Sequence, residues 1–321
     1  MRPTGKLHLG HLLGALHNWV ALQERYDCFY FVADWHALTS EYADTRELTM
    51  HALDNVADWI AAGLDPERST FFVQSLVPEH AELHLLLSMV TPVPWLERVP
   101  TYKEQQEQLS EKDLSTYGFL GYPLLQTADI IIYNAQFVPV GEDQVPHLEL
   151  SREVVRRFHN IYGEVFAEPQ ALLTHFPRLP GLDNRKMSKS YGNAINLTDD
   201  AETVKKKVMQ MYTDPKRVRA DVPGTVEGNP VFVYHDAFNP DVAEVEDLKA
   251  RYRLGKVGDV EVKQKLVKAM NAALEPLRER RAAVAGRPGY VRDVLFEGSA
   301  KARLVATETM ARVRDAVHLK Y

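Results

Sequence analysis

A chain of 321 residues, 45% apolar and 26% charged, is long enough for roughly two domains around a sizeable core. Its net charge of −6 excludes a binder that meets nucleic acid with its whole surface, so any RNA must meet local basic patches. The lone Cys28 excludes an intrachain disulfide and a cysteine-rich metal site, and no apolar run is long enough for a membrane span.

The first stretch, residues 1–14, reads MRPTGKLHLGHLLG. Leu12, Leu13, Leu16, Trp19, Val20 and Leu22 recur at helical spacing, which sets His8-Leu9-Gly10-His11 at a helix start. A helix start offers unpaired N–H groups and partial positive charge to phosphate. Gly5 and Gly10 let a ligand approach the backbone, and the imidazoles can donate to phosphate oxygens. A histidine-rich turn at a frayed terminus is the plainer alternative. No secretory leader is expected ahead of this stretch, and a cytoplasmic location follows.

Residues 28–33 read as a buried strand closed by Asp34-Trp35-His36, with Cys28 a small buried thiol. Residues 45–62 read as a helix ended by Gly63, and 69–74 as a second strand. This order predicts a parallel sheet whose carboxyl ends face a ligand crevice. Residues 78–89 read as a buried helix broken by Pro92 and Pro94, and 97–112 as a solvated or interface segment. Residues 121–133 surround one carboxylate, Asp129, with apolar side chains. On a helix, Tyr122, Gln126 and Asp129 share a face. On an apolar face such a carboxylate needs a partner, a ligand donor or an arginine elsewhere in the chain; the plainer alternative is an aspartate on the helix surface.

Residues 137–140 read as a short strand, followed by Gly141-Glu142-Asp143-Gln144 and a helix over 145–158. That junction suits a ribose or phosphate, or is an ordinary acidic helix start. Arg185-Lys186-Met187-Ser188-Lys189-Ser190 sets two lysines and two hydroxyls on a loop, as a phosphate clamp or a solvated basic turn. Beyond Gly192 the patterns are helical: 201–212 behind a cap at Thr198-Asp199-Asp200, then 242–252, 260–284 with a kink expected at Pro276, and 299–318. Basic clusters at 205–207, 216–219 and 278–281 are candidate RNA contacts or solvated helix faces.

Together, His8-Leu9-Gly10-His11 and Lys186-Met187-Ser188-Lys189-Ser190 resemble the paired signature of class I aminoacyl-tRNA synthetases. Tyr122-Pro123, Ala128-Asp129-Ile130 and Val138-Pro139-Val140-Gly141-Glu142-Asp143-Gln144, in this order, resemble the bacterial tryptophanyl branch over essentially the whole chain. The resemblance implies an α/β fold: a Rossmann-like, doubly wound parallel sheet with an all-helical C-terminal domain. It implies a catalytic domain over 1–190, with a dimer-contact insertion near 78–118, and a tRNA anticodon-binding domain over 191–321. The implied reaction activates L-tryptophan with ATP to the adenylate, then transfers it to tRNA(Trp). A tyrosyl enzyme, a small nucleotidyltransferase and a non-catalytic paralogue are the competing readings.

The resemblance also implies roles. His8, His11, Lys186 and Lys189 are the expected catalytic residues. Arg2, Pro3, Thr4, Gly10, His11, Gly141, Glu142, Asp143, Leu179, Lys186, Met187, Ser188, Lys189 and Ser190 are expected around ATP, which brings Mg²⁺. Because the indole N–H is a donor only, Asp129 is its expected acceptor in an apolar slot of Val138 and Val140. Tyr122, Gln126, Gln144 and His36 are expected to hold the amino acid's polar groups or line the slot. A homodimer is implied, with no membrane contact and no resident metal. This chain departs from the pattern in three places. The family carries a short apolar strand before the Pro-x-Gly, so either this chain starts late or the folded protein lacks a core strand. Arg2 stands where glutamine is common. Some relatives hold an iron–sulfur cluster on four cysteines, and the matching positions here are Asn229, Tyr252, Asp259 and Val262, so no cluster is expected.

Overall fold

The first helical pattern folds as α1 (Leu9–His11), a π turn (Leu12–Leu16) and α2 (His17–Leu22), each continuing the last. The computed structural model describes residues 1–108, 111–173, 179–187, 191–215, 217 and 219–321. β1 (Cys28–Val32) leads through α3 (Asp34–Glu41) and α4 (Leu48–Ala62) to β2 (Ser69–Val73). The two strands pair in parallel, Cys28 opposite Ser69 and Val32 opposite Val73. Next come a 3₁₀ turn (Gln74–Leu76), α5 (Glu79–Ser88), α6 (Val93–Glu97), α7 (Pro100–Gln108) and α8 (Tyr117–Ile131). β3 (Phe137–Val140), a 3₁₀ turn (Glu142–Gln144), α9 (Val145–Tyr162) and β4 (Gln170–Leu173) follow, with β3 and β4 again parallel. The remaining elements are α10 (Ala201–Met209), α11 (Pro230–Phe238), α12 (Val242–Arg253), α13 (Asp259–Ala285) and α14 (Tyr290–Ala316).

Strand alternation decides where the core lies. Successive side chains of a strand point to opposite faces. Tyr30 and Phe71 therefore join Trp59 of α4 in one apolar cluster, while Phe31 and Phe72 join Leu83, Leu124 and Phe158 in another. α14 feeds both clusters, through Leu295 on one side and Ala302, Ala306, Met310 and Val313 on the other. The last helix of the chain thus packs against the sheet that carries the site.

The α/β class with a helical C-terminal half matches the expectation, and among the described residues no strand follows Leu173. The strands form two parallel pairs, β1–β2 and β3–β4, in place of one continuous ladder. Met1 lies along the end of β1, its carbonyl accepting from Ala33 N–H at 2.9 Å. Several helices differ from the sequence reading: α3, α6, α7 and α11 are additional, and α14 starts at Tyr290, earlier than expected. α13 continues through Pro276 as one helix of 27 residues. Asp200 caps α10 as expected, accepting from Thr203 N–H at 2.7 Å.

Candidate active site

His8 and His11 fold into a reciprocal cap. Gly10 N–H donates to His8 Nδ1 and His8 N–H donates to His11 Nδ1, both at 3.1 Å, with ring centroids 3.9 Å apart. This satisfies two amides that a helix start leaves without intrahelical partners. With each Nδ1 accepting, each neutral ring carries its proton on Nε2, an assignment made from the hydrogen bonding. A Cβ at Gly10 would meet the His8 ring at 2.9 Å and Met187 Sδ at 3.4 Å, so glycine is what fits between them.

The second motif is tied to the first by backbone. Leu9 N–H donates to Ile195 O at 3.0 Å and Leu197 N–H to Leu7 O at 2.9 Å, with His8 and Asn196 bridged antiparallel. Asn193 Nδ2 donates to Lys186 O at 3.1 Å and to Asp183 Oδ1 at 2.8 Å. Pro180 bridges to Lys186 and accepts from Tyr234 OH of α11 at 2.9 Å. Leu179 is buried in the cluster that holds Leu9 and Leu12. Ser188, Lys189 and Ser190 lie outside the described residues. Pro3 is buried, and Thr4 N–H donates to Arg2 O at 3.0 Å. Burial lowers the pKa of Arg2, with Glu41 and Tyr122 pulling it back up.

Asp129 sits on α8, almost wholly inaccessible, and three side chains converge on it. His36 Nε2 donates to Oδ2 at 2.7 Å and His80 Nδ1 to Oδ1 at 2.6 Å. Gln74 Nε2 donates to both oxygens, at 2.8 and 3.0 Å. His80 Nε2 then accepts from Tyr133 OH at 2.7 Å. Burial pushes the Asp129 carboxyl up, but His36 and His80 outweigh it and hold it well below the usual range. The partner that the sequence left open is therefore two histidines and a glutamine, not an arginine. His36 was expected near the amino acid and does reach this carboxylate. Gln74 and His80 were not expected. The signal for His80 was a lone histidine in an apolar helix, and for Gln74 an amide at a strand's carboxyl end.

Tyr122, on the same helix, shares a hydrogen bond of 2.9 Å with Thr101 Oγ1, which lies 2.5 Å from His147 Nε2. Burial, with His36 adding to it, lowers His147 to about 4, so it is neutral at neutral pH. Gln126 is half-buried. Val138 is half-buried and Val140 buried in β3, whose carboxyl end carries Gly141, Glu142 and Asp143. Glu142 and Asp143 are exposed there, and Gln144 Nε2 donates to Asp143 Oδ2 at 3.1 Å.

The family described as tRNA synthetases class I (W and Y) matches residues 1–275 of this chain. The chain belongs to the class I tRNA synthetases. A tryptophan–tRNA ligase of Thermotoga maritima is 53% identical over 322 residues, covering 100% of this chain and 98% of that protein. A tryptophanyl-tRNA synthetase of Campylobacter jejuni, solved with ADP and tryptophan, superposes with a TM-score of 0.88 at 32% identity. That match covers 99% of this chain and 98% of the other. A tyrosyl-tRNA synthetase of Archaeoglobus fulgidus, solved with L-tyrosine, gives a TM-score of 0.66 at 27% identity over 88% of each chain. Within this class I synthetase several members of the basic clusters are committed to the fold, while Lys205, Lys206 and Arg219 are exposed and Lys216 and Val218 lie outside the described residues. Arg217 is buried and donates to Val222 O at 2.8 Å, and Lys207 Nζ donates to Asp199 at 2.6 Å. Arg280 Nε donates to Ala61 O at 2.5 Å and Arg281 Nε to Asp58 at 2.6 Å. Among the described residues no helix is long and apolar enough to cross a membrane.

Proposed function

We propose that this chain is a tryptophan–tRNA ligase. It activates L-tryptophan with ATP to tryptophanyl-adenylate and pyrophosphate, then transfers the tryptophanyl group to the 3′ end of tRNA(Trp). The observation that carries the reading is Asp129, a buried carboxylate held ionised by His36, His80 and Gln74. An indole N–H is a donor with no acceptor function, and an ionised acceptor in a largely apolar setting selects it. Val138 and Val140 line the slot. Tyr122, Gln126, Gln144 and His36 hold the α-amino and carboxylate groups or complete the wall.

In the first step the tryptophan carboxylate oxygen attacks the α-phosphorus, and the bond to the bridging oxygen of pyrophosphate breaks. The protein's part is alignment and charge stabilisation. The Nε2–H groups of His8 and His11 donate to phosphate oxygens, and Lys186 and Lys189 add positive charge. Arg2, Pro3, Thr4 and Gly10 hold the nucleotide with Met187, Ser188 and Ser190. Gly141, Glu142 and Asp143 meet the ribose, and Leu179 packs near adenine. Mg²⁺ arrives with ATP as part of the substrate, coordinated by phosphate oxygens. Residues 1–190 carry this chemistry, residues 191–321 meet the anticodon, and residues near 78–118 contact a second copy in a homodimer. The enzyme works in the cytoplasm.

ATP–pyrophosphate exchange with tryptophan, with tyrosine and with no amino acid tests the reading. Exchange that depends on tryptophan alone is the expected result. Exchange with tyrosine alone would reassign the substrate, and none with either would point to a non-catalytic relative.

A further inference from the structure

Two of the three side chains on Asp129 belong to segments held by α14. Gln74 follows Val73, whose N–H donates to Ser299 Oγ at 3.1 Å, and Ser299 in turn donates to Leu295 O at 2.6 Å. One residue earlier, a Cβ on Gly298 would stand 1.8 Å from Phe71 O, so glycine is what lets the helix lie against β2. His80 follows Glu79, a buried carboxylate whose Oε1 accepts from Arg303 Nε at 2.9 Å and Thr307 Oγ1 at 3.3 Å. A turn further along α5, Arg314 Nε donates to Glu82 Oε1 at 2.7 Å. The first half of α14 therefore grips the backbone beside Gln74 through Ser299, and its middle grips the start of the helix that carries His80 through Arg303.

We propose that α14 sets the recognition of the indole from outside the pocket, with Ser299 and Arg303 as positioning residues that fix where Gln74 and His80 hold the Asp129 carboxylate. Neither residue touches Asp129. The inference rests on the reading of Asp129 as the indole acceptor. A carboxylate bonded on both oxygens from two directions has one orientation, and its remaining lone pairs point one way. A small shift in either donor turns it, and a site loosened in this way loses selectivity before it loses its fold. Glu79 strengthens the link. Its Oε2 is buried without a hydrogen-bond partner, so removing Arg303 leaves a buried charge that the first turn of α5 must move to hydrate.

The test is ATP–pyrophosphate exchange by the full chain with tryptophan and with its benzothienyl analogue, in which sulfur replaces the indole N–H. The variants are Ser299→Ala, Arg303→Met, Arg303→Lys and Asp129→Ala. Ser299→Ala and Arg303→Met each raise KM for tryptophan about five-fold, the scale of one lost hydrogen bond. Both leave KM for ATP and kcat near wild type, and both narrow the preference for tryptophan over the analogue. Arg303→Lys, which keeps a cation for Glu79, recovers most of the loss. Wild-type KM and preference in Ser299→Ala and Arg303→Met, beside a raised KM in Asp129→Ala, overturn the proposal and leave the acceptor role standing. An unchanged KM in Asp129→Ala removes the acceptor role and the proposal with it. A matched loss in kcat and both KM values, with a lowered melting temperature, assigns α14 a purely structural part and also overturns the proposal.

Discussion

Asp129 pairs an unfavourable burial with three donors, and that balance determines what a substitution there does. At any assay pH near neutrality the carboxylate is ionised, because His36 and His80 hold it well below the ordinary range. Its contribution is therefore present above the ordinary carboxylate pKa and disappears only in strong acid. Asp129→Ala removes the acceptor and leaves His36, Gln74 and His80 facing a gap. Tryptophan affinity is expected to fall by ~100-fold, the upper end for a hydrogen bond to a charged group, while ATP binding survives. Equilibrium dialysis with each ligand separately checks this. Tryptophan affinity within a factor of two of wild type would end the assignment.

At the scale of elements, α1 is a three-residue turn that two histidines and one glycine hold in place. Gly10→Ala drives a methyl group into the His8 ring, at 2.9 Å, and against Met187 Sδ. The cap must open, which shifts the very atoms proposed to meet phosphate. Exchange is expected to fall by about 100-fold with tryptophan binding kept, since misplacement by about an ångström costs that much. A variant with normal exchange would show that the cap tolerates the shift. The sequence made this element legible because its cue is local: apolar spacing behind a His-x-Gly-His unit. β1, β2, α4 and α8 were legible for the same reason. The clamp on Asp129 was not, since Gln74 and His80 lie 55 and 49 residues away and only the fold joins them. α11 was missed because Val231-Phe232-Val233-Tyr234 carries the β-branched and aromatic residues typical of strands, and packing overrides that preference. The basic clusters are a contrasting case. Charge runs are visible in one dimension, whereas the carbonyls that accept from Arg217 and Arg280 are not.

Across the whole molecule the helical half and the strand-bearing half share their core, so the proposed division at residues 190 and 191 is one of function and not of separate folding. The polar seam between them runs along α4 and α13. Arg281 donates to Asp58 at 2.6 Å and to Asp54 at 3.1 Å, beside Arg280 on Ala61 O. Burial pushes Asp58 from the ordinary 3.8 up to about 6, against the pull of Arg281, with Asp54 adding to the rise and Lys6 opposing it. The folded chain therefore binds this proton more tightly than the unfolded chain does. Stability from this group is greatest below pH 4, declines as pH rises to about 6, and is flat above that. The difference between the two values amounts to about 3 kcal/mol. Asp58→Asn keeps an oxygen for Arg281 and cannot ionise, so it removes the dependence. The melting temperature of wild type minus that of Asp58→Asn is expected to fall by several degrees between pH 4.5 and 6.5, then to hold constant to pH 8. A difference that stays the same from pH 4.5 to 8 would mean that Arg281 fully offsets the burial of Asp58, and that the seam between the two halves does not respond to pH.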